Sequence, residues 1–163
     1  MPVIPMCKAV CGYCARESPY PELGDFAYGQ FILHRDDGQD FRYLQGLGND
    51  VWDCAAAHVS AGLLQEVVAR LADAPAGRYF TIAMVCPYCG SRRFRDWGGE
   101  QLSSRDIPSA TFRAFAALGP AEKKGLLERL AHDLNAEPAA SPNGGPAKWF
   151  GNSGVGGGPP SVS

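Results

Sequence analysis

Cys86-Pro87-Tyr88-Cys89-Gly90-Ser91 decides how this chain folds, because its first four residues answer an earlier tetrapeptide, Cys11-Gly12-Tyr13-Cys14. Two thiolates separated by two residues can grip one metal ion from a tight turn whose N–H groups face sulfur. Pro87 sets φ after the first ligand, and Gly90 permits the left-handed turn after the second. Two such turns supply four thiolates, enough for a closed tetrahedral site with Zn–S near ~2.3 Å. Only Cys11, Cys14, Cys86 and Cys89 occur as paired chelating turns, so they are the candidate metal ligands. Zinc is preferred over iron for such a site.

Around these pairs the composition is that of an ordinary folded chain. It has 163 residues, 45% hydrophobic and 20% charged, which excludes disorder throughout. No apolar run approaches the roughly 18–20 residues that cross a bilayer, so no membrane partner is expected. The start, Met1-Pro2-Val3-Ile4-Pro5-Met6, has neither the basic residues nor the apolar stretch of an export signal. Six cysteines without such a signal point to metal or redox chemistry rather than disulfides, and to a cytoplasmic location. The net charge of -2 argues against nucleic-acid binding driven by bulk charge. Charge is nevertheless uneven: residues 17–53 carry eight acidic and two basic side chains, residues 78–113 three acidic and six basic.

C-P-x-C-G-S resembles the second knuckle of zinc-ribbon and rubredoxin-like proteins, and Cys11-x-x-Cys14 resembles the first. The resemblance covers only the knuckles and the strands beside them. It implies a structural metal and no particular activity. The chain departs from a simple ribbon, because 71 residues (15–85) separate the pairs. What lies between must be an insertion packed against the knuckles. Loop-closure entropy grows slowly enough with length to allow it.

The insertion reads as a β-hairpin and a helix. Phe26–His34 is a strand, Arg35–Gly38 a turn, and Phe41–Leu44 a second strand. Gly46-Leu47-Gly48 breaks the pattern and Asn49 or Asp50 can cap a helix. Apolar residues from Val51 to Leu71 follow helical spacing for about six turns. Ala74–Gly77 ends it, and Arg78–Val85 reads as a buried strand leading into Cys86. Arg92–Trp97 is a return strand closed by Gly98-Gly99. Helices are expected at 108–118 and 120–134, with Pro120 at the first position of the second and Leu126, Leu127, Leu130, Ala131 and Leu134 as its stripe. The expected fold is α+β: a zinc ribbon with a β-hairpin and long helix inserted between its knuckles, then a helical pair. Residues 1–136 form the domain. Residues 137–163 hold seven Gly, five Pro and four Ser and read as a flexible tail. Lys148-Trp149-Phe150-Gly151 is its one apolar island, a candidate docking motif.

Other readings of these residues stay open. Cys7-x3-Cys11-x2-Cys14 resembles the cluster motif of radical S-adenosylmethionine enzymes, and Gly98-Gly99-Glu100 resembles their cofactor-contacting motif. The reading leaves Cys86 and Cys89 unexplained. Cys86-Pro87-Tyr88-Cys89 also resembles the glutaredoxin active site, whose chemistry needs a thiol activated at a helix N-terminus. Gly90–Phe94 is a poor helix start. Arg92, Arg93 and Arg95, interleaved with Phe94 and Trp97, form a candidate edge for phosphate or an acidic protein. Cys54 and His58 share a helix face without an obvious third ligand, Cys7 reads as a spare thiol, and His34 and His132 read as surface residues. No Ser–His–Asp set, phosphate loop or paired-carboxylate motif emerges. The expected function is a zinc-stabilised interaction module, an adaptor or accessory subunit that binds protein or nucleic acid through Arg92, Arg93 and Arg95, through Trp149 and Phe150, or both. The alternative is a thiol- or iron–sulfur-based redox protein.

Overall fold

Strands carry the first cysteine pair. The computed structural model describes residues 1–24 and 28–137. In it β1 (Val3–Cys11) runs into the first tetrapeptide and β2 (Glu17–Pro21) returns from it, with Met6 opposite Pro21 and Val10 opposite Glu17. The sequence pattern shows neither strand. Pro19 and Pro21 deny β2 two ladder donors, and it persists because it is an edge strand. Along the other side of β1, β6 (Phe94–Asp96) and β7 (Gln101–Asp106) lie end to end, both antiparallel to it. Lys8 N–H donates to the Glu100 carbonyl at 2.8 Å across the interruption. β6 is the expected return strand. Every residue of β7 is exposed, so it carries no apolar alternation to read.

A second antiparallel sheet has the order β4-β3-β5, from β3 (Gln30–Arg35), β4 (Phe41–Gln45) and β5 (Phe80–Thr81). The β3–β4 hairpin is the expected one, although its expected start at Phe26 lies outside the described residues. The strand expected over 78–85 shrinks to two residues. The Glu66 carboxylate accepts from the Thr81 hydroxyl at 2.9 Å and from Ile82 N–H at 3.1 Å, which leads the chain out of the sheet towards Cys86.

The single long helix is corrected to two, α1 (Asp50–Ala56) and α2 (Ala61–Leu71). Asn49 caps the first, accepting from Val51 and Trp52 N–H at 3.0 and 3.2 Å. His58 and Val59 N–H both end on the Ala55 carbonyl, and Ser60 is extended. The break has a packing reason. Ala55 and Leu71 would be about 24 Å apart along one straight helix. Folding back at Ser60 puts Ala55 and Val59 in one core with Val67, Val68 and Leu71.

The helix expected at 108–118 is reduced to α3 (Arg113–Ala116). Its first residues instead extend β4: Tyr43 donates to the Pro108 carbonyl and accepts from Ala110 N–H, at 2.9 and 2.7 Å. Asp73 then starts α3, accepting from Thr111 Oγ1 and Arg113 N–H, both at 2.8 Å, and from Ala114 N–H at 3.1 Å. α4 (Pro120–Ala136) matches the expectation, with Leu127 buried and Pro120 opening it. Among the described residues the result is a mixed α/β structure with two antiparallel sheets and four helices. The helices join one core with Leu33, Leu44 and Phe80 of the second sheet. Ile4 and Met6 of the first sheet meet Phe41 and Ile107 in another. The expected tail, from residue 138 onwards, lies outside the described residues, Trp149 and Phe150 included.

His34 is a correction of a different kind. Read as a surface residue, it is buried, edge-on to Phe41 at 5.3 Å and stacked towards Tyr20 at 6.5 Å. Its alternating place on β3 puts it inside once a second sheet covers that face. Burial favours the neutral imidazole and pulls its pKa down to about 4. The unfolded chain, with a pKa near ~6.5, then binds the proton more readily. Stability from this group is therefore full above pH ~6.5 and is lost as pH falls towards 4, by about 3 kcal/mol. Urea midpoints of the wild type and His34→Phe should diverge in slope between pH 6.5 and 4, the variant lacking this component. Parallel profiles for the two proteins would show that His34 is hydrated in the folded state.

Candidate metal centre

Each tetrapeptide is a turn held by its own backbone. In the first, Cys11 N–H donates to the Arg16 carbonyl at 3.0 Å, and Ala15 N–H to the Cys11 carbonyl at 3.1 Å. Tyr13 and Cys14 N–H both point at Cys11 Sγ, at 3.4 and 3.5 Å. The second repeats the plan: Cys86 N–H donates to the Ser91 carbonyl and Gly90 N–H to the Cys86 carbonyl, each at 2.9 Å. Gly90 has φ +71°. The equivalent Ala15 has φ +60°, a left-handed conformation that costs a non-glycine residue energy. The first turn holds that strain because β1 and β2 pin both of its ends.

The fold brings all four expected ligands together. The Sγ atoms of Cys11, Cys14, Cys86 and Cys89 lie within 4.8 Å of one another. Cys11 and Cys89 are 3.6 Å apart and Cys14 and Cys86 3.7 Å, so the closest pairs run between turns. A tetrahedron with ~2.3 Å metal–sulfur bonds has edges of about 3.8 Å, so the cluster has the size of a tetrathiolate site. Cys11 and Cys86 are buried, Cys14 half-buried and Cys89 exposed. Burial pushes the Cys11 thiol up, but the N–H groups of Cys14 and Tyr13 and the neighbouring thiols outweigh it, bringing it down to about 6. Cys89 goes the other way. The Ser91 N–H favours its thiolate, but desolvation and the neighbouring sulfurs push it up to about 12. Four thiols this close cannot all ionise by themselves. A divalent cation removes that conflict, and such a metal would hold all four as thiolates.

The second turn is braced from outside. Gly38, at the β3–β4 turn with φ +69°, lies against it: a Cβ there would sit on the Val85 carbonyl oxygen and 2.9 Å from Pro87 N. Gln39 Nε2 donates to the Pro87 carbonyl at 2.9 Å. Glu66 holds the chain that enters the turn and is itself held by Arg70 Nε at 2.8 Å. Gly12 N–H donates to the Arg93 carbonyl at 2.8 Å, tying the first turn to the strand that leaves the second. Sequence reading missed Gly38, Gln39 and Glu66 as supports. A glycine in a hairpin turn is expected for the turn alone, and only tertiary packing shows what it presses on.

The remaining candidates separate cleanly. Cys7 sits within β1 opposite Tyr20 and Gln101, four strand residues before Cys11, or about 13 Å. It is buried, and burial with the adjacent Glu22 raises its thiol to about 11. Cys7 therefore does not join Cys11 and Cys14 as a third cluster ligand, and Glu100 is paired with Lys8 at 3.1 Å. The second turn leads into β6 rather than a helix, so Cys86 lacks the helix N-terminus of a glutaredoxin-like thiol. Cys54 packs against the helical core, while His58 lies beyond the end of α1 and is exposed. His132 is exposed on α4, as expected. Among the described residues no second convergent set of metal-ligating side chains is present. Arg92, Arg93 and Arg95 are exposed.

Two measurements test this centre. The double variant Cys86→Ser/Cys89→Ser should lose metal content and unfold at lower denaturant than the wild type, because structural metal binding is coupled to folding. Undiminished metal in the purified variant would remove these residues as ligands. Gly38→Ala should destabilise by more than ~1 kcal/mol from the left-handed backbone alone, and should speed metal loss to a chelator because the added methyl displaces Pro87. A chelation rate equal to wild type would show that the hairpin does not brace the turn.

No family model, curated protein or solved structure matches this chain.

Proposed function

We propose that the chain is a zinc-stabilised interaction module, an adaptor or accessory subunit that meets a macromolecular partner with the face formed by the two cysteine turns and β6. The metal is assigned to structure, because four protein thiolates fill a tetrahedral ion and leave no position for substrate. The observation that carries the reading is how the cationic side chains are used. Arg35, Arg42, Arg70 and Arg78 are all engaged with carboxylates. Arg16, Arg92, Arg93 and Arg95, which flank the cysteine turns, make no ion pair among the described residues. Among the same residues Arg105, Arg113 and Arg129 are likewise without an ion pair, so what distinguishes these four is their place beside the cysteine turns, where Arg92 Nη2 donates to the Tyr79 hydroxyl at 3.4 Å.

Three exposed aromatic residues accompany them. Tyr13 and Tyr88 occupy the same place in the two turns and are 78% and 53% exposed, and Trp97 after β6 is 42% exposed. Arg16 lies over the Tyr88 ring at 4.9 Å. Large exposed rings beside unpaired guanidinium groups suit recognition, since both contribute most when a partner covers them. The full chain, purified anaerobically, should be colourless with one zinc. As bait in native extract it should retain a partner that Arg92→Ala/Arg93→Ala/Arg95→Ala loses while keeping its zinc. A brown, iron-bearing protein, or capture unchanged by the triple variant, would overturn the reading.

A further inference from the structure

Resting on that reading, we propose that the partner of the cysteine-turn face is single-stranded nucleic acid, held by base stacking on Tyr13, Tyr88 and Trp97 and by phosphate contacts from Arg16, Arg92, Arg93 and Arg95. The shape of the surface favours this partner over an acidic protein. Protein interfaces anchor on side chains inserted into apolar pockets. Around the two turns the rings stand out from the surface instead. The small cavity behind them, lined by Tyr20, His34, Pro87 and Phe94, measures about 10 Å³ and admits no side chain. The larger groove, about 370 Å³, lies elsewhere, between the end of α2 and the helices α3 and α4. Protruding rings are what unstacked bases need, because every base offers a π face and none requires a pocket.

The spacing of the groups fits the same ligand. Gly12, beside Tyr13, donates to the Arg93 carbonyl, and Arg16 covers Tyr88. A cation of the first turn thus covers a ring of the second, and the strand that leaves the second turn is tied by its backbone to the first, so rings and guanidinium groups from both turns share one neighbourhood. Duplex DNA hides its bases in the stack and offers no such faces. Arginine also suits the task better than lysine, since its planar fork both pairs with phosphate and stacks on rings.

The test is fluorescence anisotropy of the zinc-loaded full chain with short labelled oligonucleotides: single-stranded DNA, single-stranded RNA and duplex DNA. The two single-stranded arms decide whether the 2′-hydroxyl matters, and binding of either supports the inference. Neutralising four phosphates should weaken binding about 50-fold between 50 and 200 mM salt. Tyr13→Ser and Tyr88→Ser should each weaken it about 10-fold with the salt slope unchanged. The arginine triple variant should flatten the slope. Equal or tighter binding to duplex would overturn the single-strand assignment. No oligonucleotide binding, with arginine-dependent capture of a protein retained, would overturn this inference and leave the interaction module standing. Failure of both would overturn the two together.

Discussion

Four sulfur atoms from turns 71 residues apart must meet within a few ångströms, and most of the structure answers to that requirement. Closing such a loop costs about 4 kcal/mol of chain entropy by the logarithmic law. A structural metal held by four thiolates, on the order of 10 kcal/mol or more for zinc, would exceed that cost. Entropy is thus no obstacle to the long insertion, but geometry is. The second turn leaves the sheet after only two residues of β5, and nothing in its own sequence orients it. Its position comes from the β3–β4 tip on one side, through Gly38 and Gln39, and from α2 on the other, through Glu66. The insertion is therefore a bracket for the metal centre as well as a second core.

The same bracket sorts the charges. The acidic excess of residues 17–53 is concentrated where the hairpin turns, at Asp36, Asp37 and Asp40. Arg35, Arg42 and Arg78 meet it there, with contacts between 2.7 and 3.8 Å. These groups are only partly exposed, and the Arg35 hydrogen bond holds the Asp37 carboxyl below its ordinary range. The carboxylates are thereby occupied on the hairpin side. Arg16, Arg92, Arg93 and Arg95, which flank the cysteine turns, form no ion pair among the described residues.

Packing against the sheet that carries the first cysteine turn also sets the polarity of the interior. His34 and Thr81 are buried in an otherwise apolar layer, one neutralised by its surroundings and the other bonded to Glu66. A polar residue inside is tolerated when it is uncharged or paired. Both sit where the second sheet approaches the centre, so the bracket is held by directional contacts as well as by apolar area.

The sequence by itself determined the four cysteines that converge, the β3–β4 hairpin and α4. Each rests on a local signal: paired C-x-x-C turns, a strand–turn–strand pattern, and Gly-Pro before a helical stripe. These survive because the interactions that form them are a few residues apart. Tertiary structure decided the rest. β2 exists despite its prolines because it needs only one side of its backbone paired. β7 exists without apolar periodicity because β1 supplies its ladder. The helical stripe broke at Ser60 because one core had to take both halves, and Arg78–Val85 yielded its strand to a carboxylate on α2. His34 went inside because Tyr20 of the first sheet covered it. Apart from the β1–β2 return, the deciding contact in each case is long-range, and periodicity along the chain carries no record of which face a distant segment will cover.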